Sequence, residues 1–339
     1  MAVVFRAMLV ACIWSAGCGL TLAGPVAKQT NSATAVATPP PPPAAEQPAP
    51  TPRVRAYLFR GAMGPIFSRG MDRLTSRLQE VGVQADVNEF TICRIIAARA
   101  IREYKEEPLP IVLIGHSMGG LCSVIFAEVL RDENIPVSLI VTIDPAHATG
   151  NVPLNVERFI NIFLSDSVLG GGDVVAEPGY QGHYASYDLK DHKEVTHINI
   201  DKMDTIHDQV VKAVVQLGTT PMQVKGETAP LRYLVPQDEP LELWDSGIPQ
   251  SARTGDTLQR LATVNQVPLW SLTQANQLSD NAPLTAGQRI VIPRHLMPVG
   301  QQPPVTATTA EAAKRSATPS ARPSRGEASS DKSSSPRTR

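Results

Sequence analysis

Residues 110–130 read PIVLIGHSMGGLCSVIFAEVL, and the period of the apolar positions changes part-way along. Ile111, Val112, Leu113 and Ile114 form an unbroken apolar run, the pattern of a strand covered on both faces. Residues 117–130 read as a helix. Between them stands GHSMG, a G-x-S-x-G pentapeptide with strand before it and helix after it, the context a nucleophilic serine on a sharp turn requires. Gly115 and Gly119 suit that turn, because the serine backbone is strained and nothing bulky can crowd it. The new helix directs unpaired N–H groups at the turn. Ser117 is therefore a candidate nucleophile, and the Met118 N–H a candidate donor to an oxyanion.

Working outward, residues 53–218 alternate short apolar runs with amphipathic helical patterns. RVRAYLF reads as a strand, residues 71–81 as a helix with Leu74 and Leu78 four apart, and VQADVNEF as a strand. A helix over 91–104 follows. VSLIVTID and RFINIFL read as further strands, and residues 207–217 as a closing helix. Strands alternating with helices predict parallel βαβ crossovers, an α/β fold.

The rest of the 339 residues is punctuated by 30 prolines. Residues 1–23, with one early arginine, a short apolar core and small residues at the end, read as an export leader. SAGC at 15–18 offers Cys18 as a lipidation site, the one route by which a membrane enters this reading. Residues 24–52 read as a Pro/Ala-rich linker, 219–245 as a connector, and 296–339 as a Pro/Ser-rich tail unable to bury a core. A net charge of -1 excludes a nucleic-acid footprint over the whole chain. Cys93 and Cys122 are the cysteines outside the leader, and an oxidising compartment would permit a disulfide between them.

A serine hydroxyl needs a base, and the base needs an orienting acid. Asp144 ends VSLIVTID at the edge where ligands bind in such sheets; Asp166, after RFINIFL, is the alternative acid. His197 and His207 are both candidate bases. His207 falls in the frame of the last helix, which Asp204 would cap, whereas His197 precedes it. His183, His192, His197 and His207 invite a zinc reading, but no metal-ligand spacing accompanies them, so neither metal nor cofactor is expected. The loop RGAMG at 60–64 could supply a second oxyanion donor from Ala62 or Met63.

RGAMG, GHSMG, TIDP and THINIDKMDTIH, in that order, make residues 53–218 resemble a small α/β-hydrolase of the serine esterase and lipase type. The resemblance implies a minimal α/β-hydrolase fold, a triad of Ser117, Asp144 and His197 or His207, and an acyl-enzyme formed from a small ester or thioester. A second resemblance covers 246–295: TGDTL, QRLATVN, PLWSLTQAN and AGQRIVIP resemble a LysM module, a small α+β unit of βααβ order. Asp256 is expected to cap its first helix, and Leu258, Leu261, Trp270, Leu272 and Ile290 to form its core. The module implies binding of peptidoglycan or another N-acetylglucosamine glycan, between the loop with Asp256 and Thr257 and the loop with Ser279 and Asn281. Together these describe an exported hydrolase held at the periplasm or cell envelope. The alternative is a wall-binding scaffold whose hydrolase-like domain is idle.

Overall fold

A computed structural model describes residues 51–219 and 227–296. The expected leader with Cys18, nearly all of the linker, and the tail beyond 296 lie outside the described residues. The elements run β1 (Arg55–Arg60), α1 (Gly64–Phe67), α2 (Arg69–Glu80), β2 (Gln84–Glu89), α3 (Cys93–Glu106), β3 (Ile111–His116), α4 (Met118–Asp132), β4 (Leu139–Ile143) and β5 (Arg158–Phe163). They continue with β6 (His183–Asp188), α5 (Asp204–Thr219), β7 (Leu231–Leu234), β8 (Trp244–Ser251), α6 (Leu258–Asn265), α7 (Leu269–Asn276) and β9 (Arg289–His295).

Strands β1 to β7 form one sheet in the order β2-β1-β3-β4-β5-β6-β7. Every neighbouring pair is parallel. The period of two sorts each strand between two cores. Val112 and Ile114 of β3 face the core that takes in α2 and α5, while Ile111 and Leu113 face the one that takes in α3 and α4. Helices thus cover both faces, which is why β3, β4 and β5 are buried along their whole length. Because β1 lies between β2 and β3, the sheet order reverses there. The carboxyl ends of β1 and β3 lie side by side at a switch point, the crevice where open α/β sheets bind ligands.

Two strands escaped the sequence reading. HYASYD (β6) carries too much polarity to read as a buried strand, yet its first five residues are buried. The structure satisfies that polarity locally. His183 Nδ1 lies 2.7 Å from Ser246 Oγ, and Asn161 Nδ2 donates to Ser186 Oγ at 3.4 Å. LRYL (β7), inside the expected connector, adds the seventh strand beside β6.

The second unit pairs β8 and β9 antiparallel, with α6 and α7 between them in the chain. Leu258, Leu261, Leu272 and Ile290 are buried as expected. Trp270 is the exception. Half-buried, it packs edge-on to Tyr233 of β7 at 5.4 Å and to Trp244 at 5.8 Å, so it joins the two units. The cap also differs from expectation. Thr257 Oγ1 accepts the Arg260 N–H at the start of α6, while Asp256 accepts the Arg253 N–H and closes the preceding turn.

Candidate active site

Ser117 follows β3 directly and sits at φ 57, ψ −123, a region that costs a non-glycine residue about 1–3 kcal/mol. Neighbouring backbone holds it there: the Ser117 N–H donates to the Ile143 carbonyl, and the Ala146 N–H donates to the Ser117 carbonyl. Gly115 is required for the turn, since a Cβ there would stand 2.1 Å from the Gly119 carbonyl oxygen. Among the described residues six non-glycine positions have positive φ. Asn134, Gln266 and Gln277 lie at helix ends, but Met63, Ser117 and Asp144 fall together at the carboxyl edge of the sheet.

Asp144 follows β4 and is fully buried. Its Oδ1 accepts the N–H groups of Leu164 (3.0 Å) and Gly171 (2.8 Å). Its Oδ2 lies 2.6 Å from Nδ1 of His197. The loop supplying Gly171 is itself pinned, because Asn161 Nδ2 donates to the Gly172 carbonyl at 3.0 Å. A carboxylate holding the Nδ1 proton leaves Nε2 as the free nitrogen of the imidazole. Hydrogen bonding of Ser117 Oγ to that nitrogen, which would complete a triad, is not present in the structure.

The other candidates go elsewhere. His207 is buried in the first turn of α5, where its Nε2 donates to the Asp201 carbonyl at 2.7 Å, and burial lowers its pKa. Asp166 is exposed and faces Lys193 at 3.5 Å. His183 lies 3.4 Å from Asp245, and His192 lies 3.2 Å from Glu194, so the four histidines do not converge. Cys93 and Cys122 are free buried thiols. The neighbouring Cys122 thiol lowers the Cys93 pKa to about 7.

The loop after β1 approaches Ser117 closely, since a Cβ on Gly61 would stand 2.7 Å from the Ser117 Cβ. Ala62 and Met63 follow Gly61 in that loop. Met118 opens α4, so its N–H has no intrahelical acceptor. Two neighbours went unremarked in the sequence. His116 touches both Ser68 and His197, and its signal was only its place beside Ser117 at the end of a buried strand. Exposed apolar side chains flank these segments in the chain: Met63, Ile66 and Phe67 after β1, Val168 and Leu169 before Gly170, and Ile198 beside His197. A separate cavity of about 540 Å³, lined by Glu177, Tyr180, Tyr184 and Arg232 among others, lies at the amino ends of β6 and β7, the opposite end of the sheet from Ser117, Asp144 and His197.

In the second unit, Gln259 Nε2 donates to the Asp280 carbonyl at 2.7 Å and to Asn281 Oδ1 at 3.2 Å. It thereby ties the start of α6, next to Asp256 and Thr257, to the loop containing Ser279 and Asn281.

A seven-stranded parallel sheet with a strained serine at its switch point defines an α/β-hydrolase-like domain. Residues 252–293 match the LysM domain model, and the βααβ unit is a LysM domain. Among solved structures the chain is similar to a hydrolase of the alpha/beta superfamily from Xanthomonas campestris pv. campestris. That match has 14% identity over 48% of this chain and 96% of the other, with a TM-score of 0.30. It is also similar to the RedJ thioesterase of the prodiginine biosynthetic pathway in Streptomyces coelicolor, at 22% identity over 32% of this chain and 48% of the other, TM-score 0.22. RedJ with a polyethylene glycol molecule bound in its active site matches at 15% identity over 55% and 85%, TM-score 0.27. No protein of curated function matches the chain. No helix among the described residues is long and apolar enough to cross a membrane.

Proposed function

We propose that this protein is a serine hydrolase that cleaves an ester or thioester through an acyl-enzyme on Ser117. The observation that carries the reading is the 2.6 Å His197–Asp144 contact at the same sheet edge as the strained Ser117. Asp144, with both oxygens engaged, holds His197 as the tautomer whose Nε2 is unprotonated. As Ser117 Oγ attacks the carbonyl carbon, Nε2 takes the hydroxyl proton and the carbonyl electrons move onto oxygen. The resulting oxyanion is met by the Met118 N–H and by an N–H of the 60–64 loop, for which Ala62 is the candidate. Collapse expels the alcohol or thiol, which takes the proton back from Nε2. Water then enters by the same route and releases the acid.

The exposed apolar rim supports an acyl substrate, since apolar chains gain by covering such surface. A LysM domain implies peptidoglycan or chitin binding and association with a cell wall. We assign the contact to the loops at Asp256–Thr257 and Ser279–Asn281, and infer export from the leader-like residues 1–23. The division into leader 1–23, linker 24–52, hydrolase domain, LysM domain and tail is part of the same proposal. The second reading is a wall-binding scaffold whose hydrolase-like domain is idle.

Hydrolysis of p-nitrophenyl esters of increasing acyl length separates the two. The enzyme reading expects turnover in the parent, rates that rise with acyl length, and loss in Ser117→Ala and His197→Ala. A folded parent without turnover on any ester would favour the scaffold.

A further inference from the structure

We propose that His116 is a positioning residue, tying the loop that carries His197 to the loop that carries the oxyanion donors and so setting both relative to Ser117. The inference rests on the reading of Ser117 as nucleophile and His197 as base.

His116 ends β3, immediately before Ser117, and is 1% exposed. Its Nε2 lies 2.9 Å from the His197 carbonyl oxygen. A carbonyl only accepts, so Nε2 carries the proton and Nδ1 is the acceptor. Ser68 Oγ, 2.8 Å from Nδ1, must therefore donate its hydroxyl hydrogen. That leaves the Ser68 lone pairs free, and they accept the Gly61 N–H at 3.0 Å. Every proton in the chain is thus fixed in one direction, from Gly61 through Ser68 and His116 to His197. The imidazole rings of His116 and His197 also lie against each other, with centroids 4.8 Å apart.

These contacts act on different parts of the same base. Asp144 orients the ring of His197, while His116 fixes its backbone carbonyl and packs on one ring face. At the other end, Ser68 fixes Gly61, whose close approach to Ser117 sets where Ala62 and Met63 stand. Burial, with the neighbouring His197, lowers the His116 pKa to about 4, so the ring stays neutral where an ordinary histidine base works.

The test uses full-length protein and p-nitrophenyl ester kinetics, with folding followed by circular dichroism. His116→Phe keeps a flat ring and removes both hydrogen bonds. Displaced catalytic groups should lower kcat by about 10- to 100-fold, with KM within about twofold of the parent. His116→Gln returns an N–H towards the His197 carbonyl and should recover a substantial part of the lost kcat. Ser68→Ala breaks only the Gly61 side of the chain and should lower kcat by about 3- to 10-fold. An unchanged kcat in His116→Phe overturns the inference, as does a glutamine variant no better than the phenylalanine one. If His116→Phe does not fold, an unchanged kcat in Ser68→Ala overturns it. A parent without Ser117-dependent hydrolysis overturns the catalytic reading itself, and this inference with it.

Discussion

Strain at Ser117 separates function from stability at a single position. Ser117→Ala keeps the φ 57 backbone, whereas Ser117→Gly relieves it. Both variants should lose hydrolysis, and the glycine variant should be more stable than the alanine one by about 1 kcal/mol in urea unfolding. Equal stabilities would mean that the turn stores no strain. The histidines separate in the same way. If His197 is the base, as proposed, His197→Gln should cost about 10³-fold or more in kcat, while His207→Gln should retain kcat within about threefold.

Asp201 offers a test in pH. Buried, with Oδ2 accepting the Gly70 N–H, its carboxyl is raised from 3.8 to about 6 mainly by desolvation. Folding therefore favours the protonated acid; that stability is complete below pH 3.8 and is lost as the pH rises through about 6. Asp201→Asn, which imitates the protonated form, should gain Tm relative to the parent between pH 4 and pH 7. A constant difference would contradict the assignment. His116 runs the other way. Its lowered pKa means that stability falls as the pH drops from 6.5 towards 4, and the paired comparison cancels it.

At the scale of elements, legibility followed local chemistry. The turn at Ser117 was readable because strand, glycines and helix are contiguous, so their chemistry is written in one stretch. Asp144 and His197 were readable only as candidates, because their pairing spans 53 residues and depends on where two loops meet. Strands β6 and β7 were not readable. The polar residues of β6 are buried only because β5 and β8 supply partners, and four-residue β7 carries too little periodicity to announce itself. The N-cap moved from Asp256 to Thr257 because the aspartate is engaged by the turn before it. Gln274 of α7 both donates to the Leu234 carbonyl and accepts the Leu234 N–H, closing the exposed edge of β7 as another strand would. Gln274→Ala should lower Tm and increase aggregation on heating, measurable by light scattering; unchanged behaviour would mean that the edge needs no cover.

At the scale of the molecule, the LysM domain is packed onto the sheet rather than carried on a tether. Tyr187, Tyr233, Trp244 and Trp270 form one aromatic cluster across β6, β7, β8 and α7. Beside it, buried Asp245 of β8 faces His183 of β6 and Arg158 of β5. Trp244 is fully buried, and Trp244→Ala should cost about 3–5 kcal/mol. Because the second unit's core is continuous with that of the sheet, calorimetry should show a single unfolding transition. Two resolved transitions would mean that the units fold independently. The segment expected as a connector, residues 219–245, holds β7 and the first residues of β8 among its described residues.

The most direct measurement is fluorophosphonate labelling of the folded full-length protein, with the modified residue located by mass spectrometry. One stoichiometric adduct is expected, on Ser117, absent from Ser117→Ala and strongly slowed in His197→Gln. A folded protein that takes no label, or one labelled equally well without Ser117, would contradict it.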